Sequence, residues 1–389
     1  MADSSIQSLA QWILCAFPFE PNASPPTLPR ANDWDVLLRV AEENAVAPLL
    51  YAAIKKLGRA NDLPAHIVER LRIHYLRADT ANWIALKELQ ELCVQFERAQ
   101  IPTAVLKGGA LATTLYPELA LRPMSDLDLL IPRAQFAAAD ACMRERGYAS
   151  PIELRDDYAP RLTNYRAYER HAAGKPAHVE LHWHLFKSPY YWQRVPIEWF
   201  WDHTTEAMIQ DQPLRVLGLE AQLLHLAAHF ALHHRAERLI WSYDLARLLA
   251  RDRERLNWDA WLDAVERFGL ALAARSALTQ VAQTWGVRAP DAVTARLNLS
   301  RPEWRDRAAF ALITAQRDSA RFLLDTVSQP GLSARAQFLW CHLFPSPAYL
   351  RERYRVRTAR QLPFFYAWRF VDGVLKLFRS LGSMAMRKQ

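Results

Sequence analysis

The feature that most constrains the fold is a strand, a helix led by two glycines, and a second strand in close succession. Residues 105–106 and 127–131 are apolar and bounded by turn residues, as short buried strands are. Gly108 and Gly109 directly follow the first strand, and the apolar run to residue 116 predicts a helix. Short strands and a helix are therefore expected to pack together, within a chain whose other segments read mostly as helices.

The second strand is unusual because two aspartates accompany its apolar residues. Side chains alternate along a strand, so Asp126 and Asp128 point the same way, with Cα atoms about 6–7 Å apart, while Leu127 and Leu129 face the core. Carboxylates in an apolar strand are costly unless an ion or partner neutralises them. Two converging carboxylates can share one or two Mg²⁺ ions, and we predict a metal site at Asp126 and Asp128.

The residues around the glycine pair are suited to phosphate. Gly108 and Gly109 let the backbone approach a ligand, and the N-terminus of the following helix favours an anion. Lys107 and Arg122 could neutralise phosphate charge. With the hydroxyl of Ser125, these five residues are the predicted nucleotide contacts.

A third acidic residue lies on a later strand, predicted over residues 178–186. Its alternation places His178, Glu180, His182 and His184 on one face and apolar residues on the other. Glu180 is the candidate to complete a carboxylate triad with Asp126 and Asp128, as a metal ligand or as a base. His182 is the alternative base, and the choice between them stays open. The histidines also leave zinc as a less favoured alternative to Mg²⁺.

These motifs resemble a bacterial family of uncharacterised nucleotidyltransferases, within the DNA polymerase β-like superfamily. The resemblance rests on residues 106–110, 116–117, 122–130, 180–183 and 224–246 and covers about residues 30–350. It implies an α+β fold, with a small mixed-sheet nucleotidyltransferase core embedded in a mostly helical chain.

The resemblance also implies roles for single residues. Gly108 and Gly109 would hold the phosphates of an NTP, Asp126 and Asp128 the metals, and Glu180 would be the third acid. The chain departs from the superfamily in having Gly-Gly where Gly-Ser is common, and in the longer gap before Asp126. Members often occur beside genes for modified peptides, which suggests a peptide acceptor.

The expected function is transfer of an NMP from an NTP to a hydroxyl of a peptide or small-molecule acceptor, with release of pyrophosphate. Mg²⁺, or Mn²⁺ in its place, would be the cofactor. The catalytic residues would be Asp126, Asp128, Glu180 and His182. One alternative is a catalytically silent, nucleotide-binding regulatory protein. Another is a glycosyltransferase that uses Asp-x-Asp to hold a metal and a nucleotide sugar.

Four regions are predicted along the chain. Residues 1–100 form a helical N-terminal region, 101–212 the transferase core, 213–345 a helical domain, and 346–389 a basic aromatic tail. In the helical domain His225, His229 and His233 recur at helical spacing. That face is expected either to pack against the core or, with Asp244, to line the substrate pocket.

Charge is concentrated in the tail. Residues 351–389 hold ten Lys or Arg and two acidic residues, an excess of eight that equals the net charge of +8 for the whole chain. The part of the chain before the tail has balanced charge and is therefore not expected to bind nucleic acid. Aromatic and basic residues interleave in the tail, which predicts contact with an anionic membrane surface or an acidic partner, or else a helix packed on the core.

The expected location is the cytoplasm, with membrane association through the tail as a possibility. The four cysteines are scattered without pairing or metal spacing, as in a reducing compartment. The first residues do not read as a signal peptide, and no apolar run reaches the roughly 20 residues that span a bilayer.

Overall fold

A computed structural model describes residues 2–19, 33–151, 162–172, 175–233, 238–315 and 318–385. Helices dominate these ranges, and a single six-stranded sheet lies among them. The helices up to the end of the sheet are α1 (Ala2–Ala16), α2 (Trp34–Glu43), α3 (Ala47–Lys56), α4 (Ala65–Arg98), α5 (Lys107–Thr114), α6 (Phe136–Glu145), α7 (Pro189–Trp192) and α8 (Ile197–Asp202).

Further helices follow the sheet. They are α9 (Leu219–Ala228), α10 (Leu239–Asp252), α11 (Trp258–Arg267), α12 (Ala271–Trp285), α13 (Asp291–Leu299), α14 (Trp304–Thr314), α15 (Asp318–Val327), α16 (Gly331–Leu343), α17 (Pro347–Tyr354) and α18 (Leu362–Ala385). A π-helical turn, His229–His233, continues α9. None of the described helices is both long enough and apolar enough to cross a membrane.

The sheet is mixed, with strand order β3-β4-β2-β1-β6-β5. Strand β1 pairs antiparallel with β2 and parallel with β6, and β2 pairs parallel with β4. The outer pairs, β3 with β4 and β5 with β6, are antiparallel. The strands are β1 (Ala104–Leu106), β2 (Leu127–Leu130), β3 (Tyr165–Ala172), β4 (Lys175–His182), β5 (Thr204–Ile209) and β6 (Gln212–Leu217).

Each face of the sheet belongs to a different apolar core. Leu127 and Leu129 point to a core that contains Leu86, Leu89 and Phe96 of the amphipathic helix α4. Alternation sends the neighbouring side chains to the other face. There Leu130 joins a larger core shared with helices from both ends of the chain. Asp128 therefore faces the helices that follow the sheet.

The predicted fold class is confirmed, because a small mixed sheet lies within a mostly helical chain. The predicted strands around residues 105–106 and 127–131 appear as β1 and β2, with α5 between them. The four domain boundaries stay predictions. The sheet continues beyond residue 212, since β6 ends at Leu217.

Two local expectations are wrong. The predicted strand over residues 178–186 ends at His182, because the amides of Trp183 and His184 both donate to the carbonyl of Asn164. His184 leaves the polar face and is buried, 2.9 Å from the carbonyl oxygen of Val195. The regular helix expected through the three histidines changes at His229 into the π-helical turn.

Candidate metal and nucleotide site

Asp128 is the centre of a compact polar cluster on the sheet. Parallel pairing of β2 with β4 sets Asp128 directly beside Glu180, and His182 lies two residues further along the same face. The Oδ1 atom of Asp128 accepts a hydrogen bond from Lys107 Nζ at 2.6 Å and lies 2.7 Å from His182 Nε2. That imidazole nitrogen is also 3.2 Å from Glu180 Oε2. Neighbouring strands thus bring together residues distant in sequence.

The cluster has the dimensions of a metal site. Asp128, Glu180 and His182 each offer one ligand atom, and these atoms lie within 4.8 Å of one another. Carboxylate oxygens are the donors that Mg²⁺ and Mn²⁺ prefer, whereas imidazole is a more usual ligand of zinc and other transition metals. The donor set therefore fits a divalent cation. The predicted metal set had Asp126 where this group has His182.

Opposite charges dominate the electrostatics around Asp128. Burial by itself would raise the pKa of this carboxyl, but Lys107 and His182 outweigh it and hold the pKa well below its usual range. Burial would lower the pKa of Lys107, but Asp128 and Glu180 outweigh it and raise that pKa. Asp128 and Lys107 thus form a buried ion pair.

Lys107 reaches Asp128 from a strained position. Its φ is +44°, in the left-handed region, at the junction where β1 gives way to α5. This conformation costs a non-glycine residue on the order of 1 kcal/mol. Such residues recur at functional sites, so the surroundings hold this lysine in a special conformation. Nothing in the sequence signals it.

Asp126 and Ser125 lie just before β2. Asp126 is half-buried, and burial together with the Asp128 charge raises its pKa. The hydroxyl of Ser125, which is exposed, donates to Asp126 Oδ1 at 3.0 Å. The metal role of Asp126 and the nucleotide contact of Ser125 stay predictions.

The two glycines are packed against protein side chains. A Cβ on Gly109 would lie 3.0 Å from Val105 Cγ1, and a Cβ on Gly108 would lie 2.9 Å from Met124 Cγ. The absence of a side chain therefore lets α5 approach the sheet closely. Contact of these glycines with phosphate stays a prediction.

Arg122 forms a buried, two-pronged ion pair with Asp244. Its Nε and Nη2 atoms donate to the carboxylate of Asp244 at 2.8 Å each, and Nη1 donates to the carbonyl of Pro123. Tyr116 donates its hydroxyl to Asp244 Oδ1 at 2.6 Å. Asp244 is thus in contact with a predicted nucleotide residue. The sequence did not link the two as an ion pair.

Residues that sequence reasoning did not select surround the cluster. Tyr165 stacks on the His182 ring, with centroids 5.2 Å apart and planes 23° apart. Lys187 Nζ lies 5.8 Å from the Tyr165 centroid. Partial desolvation lowers the pKa of Lys187, while Glu180 opposes the shift. Beside these residues is a cavity of about 280 Å³, also lined by Arg321 and Phe338.

The histidine face of α9 does approach this region. His225 is buried, and no group in the described ranges makes a hydrogen bond to its Nε2. Burial, followed by the charges of Lys107 and His182, lowers its pKa to about 3. His233 Nε2 accepts a hydrogen bond from the amide of Lys187. These contacts show that the face packs against the transferase core, and lining of the substrate pocket stays a prediction.

Comparison with known proteins identifies the family through one family model. The family model described as uncharacterised nucleotidyltransferase matches residues 30–286. Among solved structures, the chain is similar to an antigenic nucleotidyltransferase-like protein from Paracoccidioides brasiliensis. The identity is 14% and the TM-score 0.33, over 55% of this chain and 92% of that one. No curated protein matches the chain.

Proposed function

Because the chain belongs to the uncharacterised nucleotidyltransferase family, we propose that it transfers an NMP from an NTP to a hydroxyl of a peptide or small-molecule acceptor and releases pyrophosphate. The observation that carries the proposal is the convergence of Asp128, Glu180 and His182 within 4.8 Å. Asp126 lies two residues before Asp128, so a further carboxylate is available beside this group.

The proposed cofactor is Mg²⁺, with Mn²⁺ as a substitute. Asp128 and Glu180 would hold it together with Asp126, and His182 lies close enough to join the set. When bound, the metal supplies charge neutralisation and orientation for the phosphates of the NTP.

The proposed nucleotide contacts are Lys107, Gly108, Gly109, Arg122 and Ser125. Lys107 has a charged ammonium within the cluster, which supports electrostatic stabilisation of a triphosphate there. Arg122 is engaged by Asp244, so it would contact the nucleotide only if nucleotide binding rearranged this ion pair. The exposed cation of Lys187 is an additional candidate for a phosphate contact.

The acceptor is proposed to enter through the cavity beside Tyr165. Its hydroxyl would lose its proton to Glu180 or His182 as it attacks the α-phosphate. Glu180 is the more accessible of the two, with 24% of its side chain exposed against 6% for His182. His182 is held between Asp128 and Glu180 and stacked by Tyr165, which suits a residue that orients the carboxylates.

One observation favours a second function. The Lys107 ammonium neutralises Asp128 through a direct ion pair, which would suit a protein that binds nucleotide but has no turnover. The glycosyltransferase alternative has no comparable support from the site.

The location proposed is the cytoplasm, because all four cysteines are free thiols.

The test is incubation of the protein with mixed NTPs, Mg²⁺ and a panel of peptide and small-molecule hydroxyl compounds. Pyrophosphate is measured, and mass spectrometry reads the mass added to each acceptor. We expect pyrophosphate release that depends on the metal and falls at least about 100-fold in Asp126→Ala and Asp128→Asn. Asp79→Asn, which changes an exposed aspartate on α4, is the matched control.

The alternatives give different results in the same assay. NTP binding without pyrophosphate release from any acceptor would favour the silent regulatory protein. Binding of a UDP-sugar without NTP turnover would favour the glycosyltransferase. Circular dichroism of each variant separates loss of chemistry from loss of folding.

A further inference from the structure

Helix α18 packs against the rest of the protein through residues on one of its sides. Tyr366 donates its hydroxyl to the carbonyl of Pro345 at 2.7 Å, and Arg369 Nε donates to the carbonyl of His342 at 2.8 Å. Phe365 stacks on Tyr354, with ring centroids 5.4 Å apart. These contacts fix which side of the helix faces the protein.

The opposite side carries an apolar stripe exposed to solvent. Phe364, Trp368, Val371 and Leu375 are 65%, 54%, 48% and 47% exposed. Their spacing of four, three and four residues places them on one face of the helix, one above another. A row of large apolar side chains about half exposed to water is costly and marks a contact surface.

Positive charge lies immediately before the stripe. The side chains of Arg351, Arg353, Arg355, Arg357 and Arg360 are all exposed. In the ranges that the structure describes, none of these five forms an ion pair with an acidic side chain. These five positive charges are therefore available to an anionic partner.

We propose that the α18 stripe and the five arginines dock on an anionic lipid membrane. The helix would lie in the plane of the surface, with its apolar side chains in the headgroup–acyl boundary and the arginines near the lipid phosphates. Trp368 suits this position because its indole is amphipathic. The half-buried contacts of Tyr366 and Arg369 would keep the protein body on the aqueous side.

Charge favours an anionic membrane over a second copy of the chain as the occupant of this surface. If two stripes packed against each other, two strongly basic tails would be brought together, and their repulsion would oppose the pairing. An anionic bilayer has the opposite charge and an apolar interior, so it complements both parts of the surface. The inference does not depend on the transferase chemistry.

The test is flotation of the full chain with vesicles of phosphatidylcholine containing about 30% phosphatidylglycerol. We expect binding to these vesicles and little binding to pure phosphatidylcholine. Trp368→Gln combined with Val371→Gln should weaken binding at least about tenfold. Arg353→Gln combined with Arg357→Gln should weaken it by a similar factor and reduce its salt dependence.

Trp83→Gln is the matched control, because Trp83 is 55% exposed on α4, far from α18 in sequence. It should bind vesicles like the unmodified chain. Equal binding by the Trp368→Gln, Val371→Gln variant, or no binding by the unmodified chain, would overturn the proposal. So would self-association in ultracentrifugation that the same variant abolishes without any vesicle binding. Unchanged circular dichroism confirms that each variant is folded.

Discussion

At the scale of single residues, Asp128 is the group on which the site depends. It accepts from Lys107 and contacts His182 through the same oxygen, and it sits beside Glu180 in the strand register. The ion pair with Lys107 neutralises a buried carboxylate that would otherwise be costly. A divalent cation at this position competes with the lysine for the same negative charge.

This competition gives a prediction for Lys107→Met. Removal of the ammonium leaves Asp128 without its strongest cationic partner, so we expect Mn²⁺ to bind about tenfold more tightly. Calorimetric titration with Mn²⁺ measures the effect. Lys87→Met, at an exposed position on α4, serves as the control and should not change the affinity. Weaker Mn²⁺ binding in Lys107→Met would show instead that the lysine is needed to position Asp128.

At the scale of elements, the close approach of α5 to the sheet depends on its glycines. The space beside Gly109 is filled by Val105 of β1, with Leu89 of α4 close behind. Val105 is buried in the middle of the sheet and has little room to move. Gly108 instead faces the flexible side chain of Met124.

This difference predicts unequal effects of adding one methyl group. We expect Gly109→Ala to lower the free energy of unfolding by about 1–3 kcal/mol, because the overpacking outweighs the better helix propensity of alanine. Gly108→Ala should change it by less than about 1 kcal/mol, since Met124 can shift. Urea denaturation followed by circular dichroism gives both values. Equal effects at the two positions would contradict the packing argument.

Strand β4 shows what alternation in the sequence can and cannot predict. The alternation over residues 178–186 correctly placed Glu180 and His182 on one face. It did not show that the strand stops at His182, because the stop is set by Asn164, whose carbonyl takes the next two amides. A periodic pattern in one segment contains no information about a partner elsewhere in the chain.

At the scale of the whole molecule, a buried ion pair connects the sheet region to the helices that follow it. Arg122 precedes β2, Asp244 is on α10, and both are almost completely buried. The Asp244 carboxylate accepts three hydrogen bonds from Arg122 and one from Tyr116. It therefore links two of the predicted regions and holds their relative positions.

Removing one charge of this pair should destabilise the protein more than removing both charges together. Arg122→Met leaves the Asp244 charge buried without its guanidinium partner, so we expect a loss of about 3–5 kcal/mol of stability. Arg122→Met with Asp244→Asn should recover a large part, because the amide stays neutral and still accepts from Tyr116. Arg72→Met, which breaks an exposed pair with Glu69, should cost less than about 1 kcal/mol. Denaturation curves of these variants, recorded at one pH, measure each loss of stability.

Buried histidines predict how stability depends on pH. Burial lowers the pKa of His184 to about 4 and that of His225 to about 3. The unfolded chain takes up protons below about pH 6.5, whereas the folded chain keeps both imidazoles neutral until lower pH. Stability from these groups is therefore fully present above pH 6.5 and is lost as the pH falls towards 4 and 3.

Between pH 7.5 and 5.5 we expect each histidine to reduce the free energy of unfolding by about 1 kcal/mol. Urea denaturation at both pH values, with a chelator present, measures the total. His184→Gln should lose its share of the pH dependence, and His66→Gln, at an exposed position, should keep all of it. A slope that His184→Gln does not change would show that other groups cause it.

The local chemistry of the site can be predicted from the sequence alone. The apolar strand with Asp126 and Asp128, the glycine-led helix and the strand with Glu180 and His182 all follow from alternation and turn residues close together in the chain. The tertiary structure decided the partners. Lys107 with Asp128, Arg122 with Asp244 and Tyr165 with His182 are contacts between distant segments, set by strand register and helix packing. Periodicity reports which face of an element is buried, and only folding determines what lies against that face.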